Sequence, residues 1–116
     1  MARVTVQVEW PDGLQSLPEN AQARITVEDA TLADESSVVL GESVVDDLDV
    51  DHPPLVEVDI GEVDPSANLI VRVQVADSQR KERGVAVGDL ISTQSHPVLT
   101  RGHGDSVVVP VRSIGP

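Results

Sequence analysis

Leu69-Ile70-Val71-Arg72-Val73-Gln74-Val75 is the clearest structural signal in the chain. Leu69, Val71, Val73 and Val75 fall on one side of an extended chain, and Arg72 and Gln74 on the other. A period of two belongs to a half-buried β-strand; a helix would need apolar positions three and four apart. The same alternation recurs at residues 3–10, where Val4, Val6 and Val8 interleave with Thr5, Gln7 and Glu9. It recurs at Ala23, Ile25 and Val27, interleaved with Arg24, Thr26 and Glu28. Residues 37–45 predict another strand, with Gly41 as a bulge or a point of close approach. Residues 55–60 follow the same rule through Val58 and Ile60. Residues 85–93 read as a weaker strand because Gly88-Asp89 sits inside it, Val98-Leu99-Thr100 as a short strand, and 106–112 as the last.

Turn chemistry separates these segments. Pro11-Asp12-Gly13, Leu17-Pro18-Glu19-Asn20 and Asp64-Pro65-Ser66-Ala67-Asn68 carry the residues that fix or permit turn dihedrals. Asp29–Asp34 predicts an irregular corner with room for one helical turn, and 77–84 a polar, exposed hairpin loop carrying Arg80, Lys81 and Arg83. Ser95-His96-Pro97 interrupts the pattern, and Arg101–Asp105 predicts a loop. Pro110 lacks a ladder donor, which places residues 106–112 at a sheet edge or a bulge. About seven strands at spacings near a dozen residues, without a sustained helical period, predict an all-β chain. The expected architecture is a single-domain antiparallel β-sandwich over residues 1–116.

Composition agrees. Valine occurs 22 times and isoleucine 5 times in 116 residues, and β-branched side chains suit a pleated surface better than a helix. No apolar run approaches the ~18 residues of a membrane-spanning helix. The absence of cysteine excludes disulfides, thiolate metal sites and cysteine nucleophiles. Twenty acids against eight Lys and Arg give a net charge of −12, which disfavours nucleic acid and anionic membranes as partners. Such a surface fits either an ordinary acidic bacterial protein or one adapted to high salt. Trp10 is the sole Phe, Tyr or Trp, so stacking platforms for bases or sugar rings cannot be built in quantity.

The candidates for chemistry are few. Asp47, Asp49 and Asp51 match the first three ligand positions of a calcium loop, but His52 and Val58 stand where the loop needs its glycine and its bidentate acid. With Asp46 they predict a solvated acidic linker. His52, His96 and His103 share no ligand spacing, and His103-Gly104-Asp105 reads as a turn. Ser36, Ser37, Ser92 and Ser95 lie outside any nucleophile elbow. No catalytic, cofactor-binding or metal residue is assigned, and no cofactor is expected.

Leu17-Pro18 with Ala21, the run ARITVEDATLAD at 23–34, NLIVRVQV at 68–75, Thr93, and PVLT at 97–100 resemble, in order, the blocks of the YbaY/YscW family of small lipoproteins, which includes type III secretion pilotins. The resemblance spans about residues 15–112. It implies a single β-sandwich and a binding or assembly role, since pilotins bind a secretin subunit and help it reach the outer membrane. It departs at the lipobox, because the chain has no cysteine, and at an aromatic position held here by Leu69 or Ile70.

The expected function is therefore a non-catalytic binding or assembly module, with a protein partner taken at a sheet edge. The alternatives are a carboxylate-based enzyme acting on polysaccharide, or a structural acidic domain of a salt-adapted cell. The sequence as it stands predicts a cytoplasmic protein, and a periplasmic or outer-membrane-associated one if a signal precedes it.

Overall fold

The structure, a computed structural model, describes residues 2–31, 37–79 and 86–114. Among them are nine strands: β1 (Ala2–Glu9), β2 (Ala21–Asp29), β3 (Val38–Val45), β4 (Leu55–Ile60), β5 (Leu69–Asp77), β6 (Leu90–Ile91), β7 (His96–Pro97), β8 (Ser106–Pro110) and β9 (Arg112–Ser113). A three-stranded sheet has the order β4-β1-β8. A larger sheet runs β3-β2-β5-β6-β9, with β7 also paired to β5.

The alternating segments pack as their patterns require. Val4, Val6 and Val8 of β1, with Val58, Ile60 and Val109, supply one wall of the core. Ala23, Ile25 and Val27 of β2 are registered opposite Val75, Val73 and Val71 of β5 and supply the other. Each of these buried valine and isoleucine side chains contributes about 1.5–3 kcal/mol relative to exposure, so the two inner faces hold the sheets together without any staple. Trp10 closes one end of the core, its indole Nε1 donating to the Asp49 carbonyl at 3.0 Å.

Two sequence signals explain how the sandwich closes. Gly41 faces Val27, while Val39 faces Glu28, so Leu40 is the extra residue of a bulge. The inner side of Gly41 lies against the β4 backbone, and Ser43 Oγ donates to the Glu57 carbonyl at 2.7 Å. The edge of β4 is thereby covered by the inner face of β3. At the opposite side, Pro110 ends the β8 edge strand. Val111 N donates to the Glu9 carbonyl at 3.0 Å, so the Pro110 nitrogen points away from β1 and no ladder bond is lost. The chain then crosses to the other sheet, where Arg112 pairs with Ile91.

Four expectations need correction. The strands number nine among the described residues instead of about seven, because β6, β7 and β9 are two-residue pairings too short for a periodic signal. The sandwich is not wholly antiparallel: β8 runs parallel to β1, with Val6 opposite Val107 and Val8 opposite Val109. Alternation records which face is buried and carries no direction. The strand predicted over 85–93 contracts to Leu90–Ile91, because the Asp89 carboxylate accepts Ala86 N at 2.9 Å and folds the preceding residues into a turn at Gly88. His96–Pro97, read as an interruption, is the pairing segment, whereas Val98–Thr100 is not a strand. Leu99 and Arg101 have φ of 63° and 56°, a left-handed backbone no strand tolerates. Thr100 Oγ1, donating to the Ala67 carbonyl at 2.6 Å, and Arg101, donating twice to the Ser66 carbonyl, hold that turn. The end of the corner at Asp29–Asp34 and the cations Arg80, Lys81 and Arg83 lie outside the described residues.

Candidate protein-binding face

The outward side of the larger sheet carries the groups with unusual environments. Directly opposed residues of an antiparallel pair share a face. Thr26 opposite Arg72, Arg24 opposite Gln74 and Glu28 opposite Ile70 therefore all point away from the core. Glu42 stands opposite Thr26, and Val44 opposite Arg24. At the far side, Gln74 faces Ile91, and Ile91 faces Arg112. Arginines of β2, β5 and β9 thus share one face of a chain whose net charge is −12, and Arg24 and Arg72 line the same groove.

This face is grooved. A cavity of about 320 Å³ has Thr26, Glu28, Arg72 and Gln74 in its lining, with Val39 of β3 on one side and Ile91 and Ser92 on the other. A smaller recess of about 110 Å³, lined by Ile70, Arg72 and Ser92–Ser95, adjoins it at Arg72. Ser92 is fixed by a reciprocal pair with Val73, its N donating to the carbonyl at 2.9 Å and its Oγ accepting from Val73 N at 3.0 Å. The groove explains why Thr26 and Glu28 are buried although they face outward.

The Glu28 carboxylate is fully engaged. Thr26 Oγ1 donates to Oε2 at 2.6 Å, Ser37 Oγ donates to Oε1, and Arg72 Nε lies 3.1 Å from Oε1. A buried carboxylate requires such a set, since an unpaired one would cost several kcal/mol. Arg24 Nε pairs with Glu42 Oε2 at 2.5 Å. Among the described residues no hydrogen bond engages the Nη groups of Arg24 or Arg72. Beside the groove, β3 is the open edge of the sheet, and its Val38, Val39, Leu40 and Val44 are exposed.

The sequence candidates fall elsewhere. Asp49 belongs to a tight turn, its Oδ1 accepting Asp51 N at 2.8 Å and its Oδ2 lying 3.1 Å from His52 Nδ1. These bonds hold the Asp49 carboxyl below its ordinary range, the Asp51 amide first and the His52 ring second. His96 sits on β7, where burial lowers its pKa. His103 and Asp105 lie in the loop before β8, with the Asp105 carbonyl accepting Thr5 N at 2.8 Å. Among the described residues no three His, Asp or Glu side chains converge as a metal site. Of the serines, Ser37 and Ser92 reach the groove as positioning groups. Arg24, Glu28 and Arg72 were legible only as outward residues of two strands, because their meeting depends on the β2–β5 register.

The family model for the type III secretion system lipoprotein chaperone YscW matches residues 1–111. The chain belongs to the YscW family. Its fold is that of an alternative pilotin from the type II secretion system of Vibrio cholerae, with a TM-score of 0.73 at 17% identity, covering 98% of this chain and 97% of that one. No curated protein matches the sequence. The YscW match makes this chain a member of a family of secretion chaperones, and the shared sandwich extends over nearly its whole length. Among the described residues of this YscW-family chain, no helix is long and apolar enough to cross a membrane. Leu69 and Ile70, at the position where the resemblance implied an aromatic residue, are both buried.

Proposed function

We propose that this YscW-family chain is a non-catalytic holding module for a secretin subunit of a secretion system, acting at the periplasmic side of the outer membrane. Membership of a chaperone family supports the reading. The observation that carries it is the grooved outer face of the larger sheet, bordered by the exposed valines of β3. Exposed apolar side chains beside satisfied polar groups suit a docking surface: Val39 lines the groove, and Val44 stands on the same face beyond Glu42. Docking on this face needs no covalent chemistry from Glu28, whose carboxylate is already occupied by Thr26, Ser37 and Arg72.

The test is capture of the secretin subunit from the native cell by the tagged chain at moderate salt. The parent chain should retain it, and Val39→Glu with Val44→Glu should not, because two charges would be placed on the apolar border. Failure of the folded parent to retain any secretin would remove the reading. Turnover of a polysaccharide that disappears on changing one Asp or Glu would replace it with the enzymatic alternative.

A further inference from the structure

Resting on that reading, we propose that the groove is a carboxylate receptor: it takes an Asp or Glu side chain of the docked segment between the guanidinium groups of Arg24 and Arg72. The global charge predicts a basic partner, and in the groove Glu42 and Glu28 balance Arg24 and Arg72, so an acidic group is recognised by the arginine donors and not by a local excess of positive charge. Arg24 and Arg72 both use Nε for the chain's own acids, at 2.5 Å to Glu42 and 3.1 Å to Glu28. Their Nη groups remain as donors, and each side chain is about three-fifths exposed (59% and 60%). A guanidinium presents its donors as a planar fork matched to a carboxylate. Glu28 and Glu42 orient the forks from one side, so little rotamer freedom is left to lose when the other side is filled.

The surroundings select among anions. Glu28 in the lining repels a dianionic phosphate more than a monoanionic carboxylate. The net charge of −12 repels nucleic acid and anionic lipid before contact. Val39 and Ile91 border the cavity, which suits apolar residues on either side of the acid. The smaller recess continues the groove past Arg72, so a segment can run through and need not end there. That continuity favours a side-chain carboxylate over a chain terminus.

The experiment titrates the ¹⁵N-labelled full chain with the capped peptide Ac-Val-Leu-Glu-Leu-Ser-NH₂, its Gln isostere, an uncapped Gln peptide and sodium phosphate. The Glu peptide should shift the amides of Thr26, Ile91 and Ser92. Its affinity should fall roughly tenfold or more with the Gln isostere, and by as much in the Arg24→Gln, Arg72→Gln double variant. Arg72→Lys should lie between, since it keeps charge and loses the fork. Trp10 fluorescence melting confirms that each variant is folded. Equal binding of the Gln isostere, stronger shifts with phosphate or the uncapped peptide, or no shift in the groove would each overturn the proposal. Secretin retained equally by the parent and the double variant would overturn the carboxylate receptor and leave the holding function standing. Loss of secretin from both would remove the holding function itself.

Discussion

A Cβ placed on Gly41 would lie 2.5 Å from the Asp59 carbonyl oxygen and 2.7 Å from Ile60 Cγ2. This contact closes one side of the sandwich. It brings the inner face of β3 against the edge of β4 and leaves β3 itself as the open edge of the larger sheet. Gly41→Ala should therefore destabilise the chain by about 1–3 kcal/mol through overpacking against backbone that cannot rotate away. Urea unfolding followed by Trp10 fluorescence measures it. Gly13→Ala, where the obstacle is a φ of 75° and no atom lies within 4 Å, separates backbone strain from steric overlap.

Glu28 anchors the groove. Glu28→Ala should cost about 1–3 kcal/mol, because Thr26 and Ser37 lose their acceptor in a buried setting. Thr26→Val removes one donor and leaves the Ser37 and Arg72 contacts intact, so its effect should be smaller. Unfolding midpoints of the two variants, compared with Glu42→Ala at the exposed Arg24 pair, rank the contributions. A Glu42→Ala effect as large as that of Glu28→Ala would contradict this account.

Core truncation should separate inner from outer positions. Ile25 is fully buried between the sheets, so Ile25→Ala should lose about 2–5 kcal/mol. Val108→Ala, at an exposed outward position of β8, should stay within about 0.5 kcal/mol of the parent.

Stability should fall with pH in two windows. Burial holds the folded His96 pKa below its ordinary 6.5, so the unfolded chain takes up that proton first. Stability then declines as pH falls below 6.5, until the folded ring also titrates. Asp29, Asp49 and Asp64 have folded pKa values below 3.8, held down by hydrogen bonds from Thr31, from Asp51 and His52, and from Ser66. Their contribution is present above 3.8 and is lost as pH falls through the lowered values. Urea midpoints at pH 8, 5.5 and 3 should show both declines, and His96→Gln should abolish only the first.

Salt should raise the melting temperature. A net charge of −12 repels itself in the compact state, and the repulsion is screened as the Debye length shrinks from about 30 Å at 0.01 M to about 3 Å at 1 M. Scanning calorimetry from millimolar to molar sodium chloride measures it. An unchanged or lower midpoint would show that local ion pairs such as Arg3 with Asp59 already offset the repulsion.

The order of residues is enough to place the six longer strands, and the inner faces of all of them but β3. All but β3 turn alternate aliphatic residues into the core, and burial of one face is a local, additive demand that alternation records directly. Val4, Val6 and Val8, and Leu69 through Val75, were legible for that reason. So was Pro110 at an edge, because a missing donor is a property of the residue alone. Assembly of the sheets sets the parallel pairing of β1 with β8, the short pairings at Leu90–Ile91, His96–Pro97 and Arg112–Ser113, and the meeting of Arg24, Glu28 and Arg72. These depend on register and direction between segments distant along the chain. Alternation has the same period whichever way a strand runs, and a charged residue on an outward face reads as solvated until a neighbouring strand sets its partner beside it.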